Sequence, residues 1–81
     1  MSEVNIEYCV PCGLLEHAVE TQEALLEAFG NDLDGVRLQP GGGGVFEVSV
    51  DDELVWDRDD GDGEIDSTAI TEAIRDRVAH A

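Results

Sequence analysis

The stretch Val4-Asn5-Ile6-Glu7-Tyr8-Cys9-Val10-Pro11-Cys12-Gly13-Leu14 sets the architecture of the whole chain. Val4, Ile6 and Tyr8 alternate with Glu3, Asn5 and Glu7, the period-two pattern of a half-buried strand. From Leu14 to Phe29 the period changes to that of a helix. Leu15, Ala18, Val19, Gln22, Leu25, Leu26 and Phe29 draw one core-facing stripe, broken only at Gln22, and Gly30-Asn31 supplies a stop. Two thiols three positions apart therefore fall at a strand-to-helix junction. There they can close a small disulfide ring and reopen it. The free N–H groups of a helix start lie near the first of them and favour a thiolate.

Outward from this junction the remaining elements follow. Val36 and Leu38 predict a short second strand, succeeded by a loop at Pro40 and Gly41–Gly44. Phe46, Val48 and Val50 align within a third strand over 45–50. Asp51-Asp52 turns the chain, and Leu54 to Trp56 returns as the fourth strand of a hairpin. Asp57 to Gly63 is an acidic loop. Asp66 or Ser67 caps a last helix with Ile70, Ala73, Ile74 and Val78 on its apolar face. Arg75, Arg77 and His80 fall near that helix's C-terminal end, where cations suit the helix dipole. The order β-α-β-β-β-α predicts an α/β (α+β) domain with a mixed four-stranded sheet and two helices. Its first β-α-β unit is expected as a right-handed crossover between parallel strands. Residues 1–81 make one domain, with a thin core, since a chain this short buries only about 60% of its unfolded surface.

Charge narrows the function classes. Twenty acidic residues against four arginines and no lysine give a net charge of −16. That sign excludes nucleic acid, whose phosphates need a basic patch, and anionic membrane surfaces alike. The clean helix and strand periodicities argue against disorder. What remains is adaptation to molar salt, where carboxylates keep a surface solvated and their repulsion is screened within about 3 Å. No apolar run approaches a membrane span, and the N-terminus lacks the basic start and apolar stretch of a signal peptide. The expected compartment is the cytoplasm, where thiols stay reduced and a cysteine pair is catalytic or metal-binding rather than a static staple.

A C-x-x-C pair beside a β-α-β pattern reads as a thioredoxin-like redox motif. The chain also resembles the selenoprotein W-like (Rdx) family at three places. Tyr8-Cys9-Val10-Pro11-Cys12 matches the family's Tyr-Cys-x-x-(Cys or selenocysteine) at the end of the first strand. Gly44-Val45-Phe46-Glu47-Val48 matches a Gly-x-Phe-Glu-Val strand, and Gly61-Asp62-Gly63 followed by Ile65-Asp66 matches the segment leading into the final helix. The resemblance implies a thioredoxin-like fold and a redox role for the cysteine pair. It places sulfur at Cys12 where the selenoproteins carry selenium. Thioredoxin sets a cis-proline just before its third strand to receive peptides. The corresponding candidate here, Pro40, lies four glycines upstream of Val45, so the Gly41–Gly44 loop is expected to take over substrate contact.

Thiol–disulfide exchange requires an attacking thiolate, a resolving thiol and access to solvent. The candidate catalytic residues are Cys9 and Cys12. By position, Cys9 is expected as the exposed attacking thiol at the helix entry and Cys12 as the resolving thiol in the first turn. The family comparison points the other way. Pro11, which has no N–H to donate, suits a helix start and stiffens the ring. No organic cofactor is required, because the two sulfurs carry the electrons. A low-molecular-weight thiol or a reductase would supply them, and a protein or small disulfide would receive them.

Rival classes are a redox-gated adaptor without turnover and a metal module sharing thiolates between two chains. Within one chain, zinc would have only two cysteines, His17 and His80 as nitrogen and sulfur donors. His17 groups with Glu20, Thr21 and Ala24 and is expected in solvent. Glu16, four residues beyond Cys12, opposes thiolate formation, and no arginine lies near the motif in sequence. The loop from Asp57 to Glu64 fails as a calcium loop, because Gly61 falls at the fifth-position ligand and Asp62 at the invariant glycine. Gly41–Gly44 lacks the Lys-Ser/Thr and the following helix of a phosphate cradle. Phe46 and Trp56 are expected to pack in the core and hairpin.

Overall fold

The computed structural model describes residues 2–58 and 65–79. Strand β1 (Ser2–Cys9) leads into helix α1 (Leu15–Phe29), which ends in a 3₁₀ turn at Gly30–Asp32. Strands β2 (Leu33–Gly41), β3 (Phe46–Val50) and β4 (Glu53–Asp57) follow, and helix α2 (Ser67–Ala79) closes the order. The sheet runs β2-β1-β3-β4, with β1 and β2 parallel and both the β1–β3 and β3–β4 pairs antiparallel. The expected β-α-β-β-β-α order and mixed sheet are both present.

The period-two pattern explains how the layers meet. Val4, Ile6 and Tyr8 stand opposite Val50, Val48 and Phe46, and all six are buried in one cluster with Ala18 and Leu25 of α1 and Ile70, Ile74 and Val78 of α2. Glu3, Asn5 and Glu7 take the alternate positions, which leaves the other face of the sheet polar; there the Asn5 amide donates to Gln39 Oε1 at 3.1 Å. Phe46 and Trp56 meet edge to face, with centroids 5.9 Å apart, in the hairpin packing expected of them. At the hairpin turn Asp51 exchanges backbone contacts with β1: its N–H donates to the Glu3 carbonyl and its Oδ1 accepts from the Glu3 N–H, each at 3.0 Å. Asp66 caps α2, its Oδ1 accepting the Thr68 N–H at 2.9 Å. An ion pair between Arg77 and Glu53 ties the far end of α2 to β4. His80 and the Gly61-Asp62-Gly63 segment lie outside the described residues.

Two expectations change. The second strand is longer than Val36 and Leu38 alone predict. Pairing with β1 extends it through Pro40, opposite Tyr8, and Gly41, opposite Cys9. Pro40 is tolerated because β2 is an edge strand with one open side. Gly41 suits a close approach, since a Cβ there would lie 2.7 Å from Glu7 Oε2 and 3.0 Å from both Glu7 Cγ and Val45 Cγ1.

The larger change concerns α1. Leu14, Ala18, Thr21 and Leu25 form its buried row, whereas Leu15, Val19 and Leu26 of the expected stripe are 50%, 46% and 43% exposed. Adjacent rows on a helix differ by one residue, about 100° of rotation, so two neighbouring apolar rows leave the choice of core face open. Tertiary packing made that choice. The Gln22 side chain fixes it by donating Nε2 to the Val36 carbonyl of β2 at 2.8 Å. Among the described residues no helix is long and apolar enough to cross a membrane.

Candidate redox site at the carboxyl ends of the parallel strands

Cys9 is the last residue of β1 and Gly41 its partner at the end of β2, so the motif begins where two parallel strands end. In open α/β sheets this carboxyl edge is where reactive groups gather. Cys9 is held by backbone hydrogen bonds and fully enclosed. Its N–H donates to the Val45 carbonyl at 2.8 Å, its carbonyl accepts the Leu14 N–H at 3.3 Å, and its residue exposure is 0%. Residues 10–13 then form a turn in which the Gly13 N–H donates to the Val10 carbonyl at 3.1 Å. Gly13 takes φ +76°, in the left-handed region where a side chain would be strained, so glycine suits the turn that returns the chain to α1.

Cys12 stands exposed on that turn and is disulfide-bonded to Cys9 with Cα atoms 5.4 Å apart. The structure thus brings the two candidate residues together and reverses the exposure expected from their positions. Cys9 is the enclosed sulfur and Cys12 the accessible one. The reason is that α1 begins at Leu15, beyond the motif, so Cys9 belongs to the sheet and Cys12 to a surface turn. This order agrees with the family resemblance, which assigns the selenium position to Cys12.

The surroundings carry both signs of charge. No side chain caps the start of α1, which leaves the first N–H groups of the helix for solvent or an anion. Glu16 and His17 are exposed on its first turn, His17 as expected. Arg58 is the residue that local reasoning missed. It follows β4, and its Nη1 donates to the Gly44 carbonyl at 3.4 Å, one residue from the Val45 carbonyl that holds Cys9. The only signal for it was the topology, which returns β4 to the same end of the sheet. Arg58 also lines a cleft of about 490 Å³ with Leu14, His17, Glu20 and Asp66, and neither cysteine is among the residues lining it. Among the described residues no group of three or more His, Cys, Asp or Glu side chains is placed to hold a metal ion.

A two-layer thioredoxin-like fold with a disulfide at the β1–α1 junction defines the class: a small α+β domain built around a redox-capable C-x-x-C pair. The chain belongs to the Rdx family, whose model matches residues 3–76. Its fold is similar to that of a Bordetella parapertussis protein solved by crystallography, with a TM-score of 0.85 and 35% identity over 94% of this chain and 96% of that one. It is likewise similar to a selenoprotein W-related protein from Vibrio cholerae, with a TM-score of 0.88 and 25% identity over 95% of this chain and 96% of that one. No curated protein matches the chain in sequence.

Proposed function

We propose that this chain is a thiol–disulfide oxidoreductase in which Cys12 attacks and Cys9 resolves. The Cys12 thiolate attacks one sulfur of a substrate disulfide and expels the other as a thiolate, leaving a mixed disulfide on Cys12. Cys9 then loses its proton and attacks Cys12 Sγ. The Cys9–Cys12 bond forms and the second substrate thiolate departs. Two electrons and two protons pass from the dithiol to the substrate. A low-molecular-weight thiol or a reductase reverses the exchange and restores the dithiol. The observation that supports this reading best is the pairing of an exposed sulfur with a fully buried one within bonding reach. An attacking group needs access, and a resolving group needs protection from competing partners.

We place this activity in the cytoplasm of a cell with molar internal salt, on the strength of the −16 charge and the absence of lysine. Nucleic acid and membranes are not partners in this proposal. Mass-resolved thiol trapping across a graded thiol/disulfide buffer tests it. The reading expects reversible two-electron cycling of the wild type, with reduction of a disulfide substrate lost in both Cys9→Ser and Cys12→Ser. A pair that stays oxidised at every poise would overturn it.

A further inference from the structure

Among the described residues five large apolar side chains stand exposed, and three of them, Leu15, Val19 and Leu26, form one strip along α1. Of the other two, Val10 is 52% exposed on the motif turn that precedes α1, and Leu54 is on β4. The strip spans about 16 Å, at 1.5 Å of rise per residue. Cys12 lies on the exposed turn that leads into this helix, three residues before Leu15. Beside the apolar row runs a second with the same spacing, Glu16, Glu20, Glu23 and Glu27, all exposed. The helix therefore carries three parallel rows: one buried, one apolar and open, one acidic. This apolar row, interrupted only by Gln22, lies directly beside the acidic one, so the open face of α1 offers a partner apolar and charged contacts together.

We infer that this strip is the docking surface for a basic amphipathic helix of a partner protein, which presents its disulfide to Cys12. The partner's apolar row would pack on Leu15, Val19 and Leu26, and its Lys or Arg row would face Glu16, Glu20, Glu23 and Glu27. Charge complementarity selects this occupant. A second copy of the chain would bring two acidic rows into direct contact, within the roughly 3 Å over which molar salt leaves their repulsion unscreened. A small anionic disulfide would be repelled and would leave the strip uncovered. The proposal rests on the redox reading for what docking accomplishes, but the binding itself can be measured without any exchange.

The probes are two synthetic amphipathic helices of about four turns, identical in their leucine row and differing in an arginine or a glutamate row beside it. Each is titrated into the isotope-labelled oxidised protein, in the lowest salt that retains the native circular dichroism, and followed by NMR. The arginine peptide is expected to bind about tenfold tighter than the glutamate peptide, as cross-interface charge complementarity requires, with shifts centred on residues 10–27. The combined variant Leu15→Gln, Val19→Gln, Leu26→Gln is expected to lose that binding. The charge-swapped variant Glu16→Lys, Glu20→Lys, Glu23→Lys is expected to prefer the glutamate peptide, a gain that misfolding cannot produce. Equal binding of both peptides, shifts centred elsewhere, or a dimer in sedimentation that the glutamine variant dissolves would each overturn the docking surface. Giving the arginine peptide a disulfide separates the two claims. If it binds but the reduced protein leaves that disulfide intact, the docking surface stands and the oxidoreductase reading falls. If both peptides bind alike and both disulfides are reduced, the outcome is reversed.

Discussion

Cys9 and Cys12 are bonded across one turn with Cα atoms 5.4 Å apart, yet Cys9 has 0% exposure and Cys12 is open to solvent. The asymmetry follows from where each residue belongs. Cys9 is a strand residue enclosed by the hydrogen bonds from its N–H to Val45 and from the Leu14 N–H to its carbonyl. Cys12 belongs to a surface turn that Gly13 closes.

If the proposed function holds, this asymmetry predicts the order of reaction in the reduced protein. Iodoacetamide is expected to modify Cys12 at least about tenfold faster than Cys9, because thiol reactivity follows access. In Cys9→Ser the mixed disulfide with substrate should accumulate on Cys12; in Cys12→Ser none should accumulate. Peptide mapping by mass spectrometry reads both. Preferential labelling of Cys9 would reverse the assignment.

Salt is the second lever. The surface charge of −16, with Glu16 on the adjacent turn, opposes a thiolate at Cys12, and arginine is scarce. Raising the ionic strength to about 1 M shortens the screening length to roughly 3 Å and removes most of that penalty. Alkylation of the folded, reduced protein at fixed pH should therefore accelerate from low to molar salt. A flat rate would show that local dipoles, not the global field, govern the sulfur.

Leu25 and Leu26 are neighbours in sequence and opposites in the fold. Leu25 is 0% exposed, while Leu26 stands on the open strip. Leu25→Ala is expected to cost about 2–5 kcal/mol, as large-to-small changes in a core do. Leu26→Ala should stay within about 0.5 kcal/mol, as surface changes do. Urea unfolding of the two variants measures the difference directly. Comparable losses would restore the single wide stripe that the sequence alone predicts.

Gly41 tests the packing beneath the motif. An added Cβ would meet Val45 Cγ1 at 3.0 Å and Glu7 Oε2 at 2.7 Å. The Glu7 carboxylate can swing aside, but Glu7 Cγ and Val45 Cγ1, each 3.0 Å from the added Cβ, sit close to their own backbones and yield less. Gly41→Ala should therefore destabilise by about 1 kcal/mol, the lower end for overpacking, which lowers Tm by about 4–8 °C in a domain of this size. Adding Glu7→Ala should recover part of the loss, and calorimetry of the single and double variants reads the coupling.

The order of elements, the inward faces of β1 and β3, a cap on α2 at Asp66 or Ser67 and the cysteine pair at a strand end were all legible in the linear chain. Each depends on spacing within a few residues, and local geometry dictates how such spacing is displayed. What the chain could not announce by itself was which of two adjacent apolar rows on α1 meets the core, or how far β2 runs. Nor did it place Arg58 beside Gly44, or decide which sulfur faces outward. Those outcomes depend on partners distant in sequence: β2 reached by Gln22, β1 pairing on to Gly41, and β4 returning Arg58 to the end of the sheet where Val45 encloses Cys9. Burial is a property of neighbours, and only the folded chain assigns them.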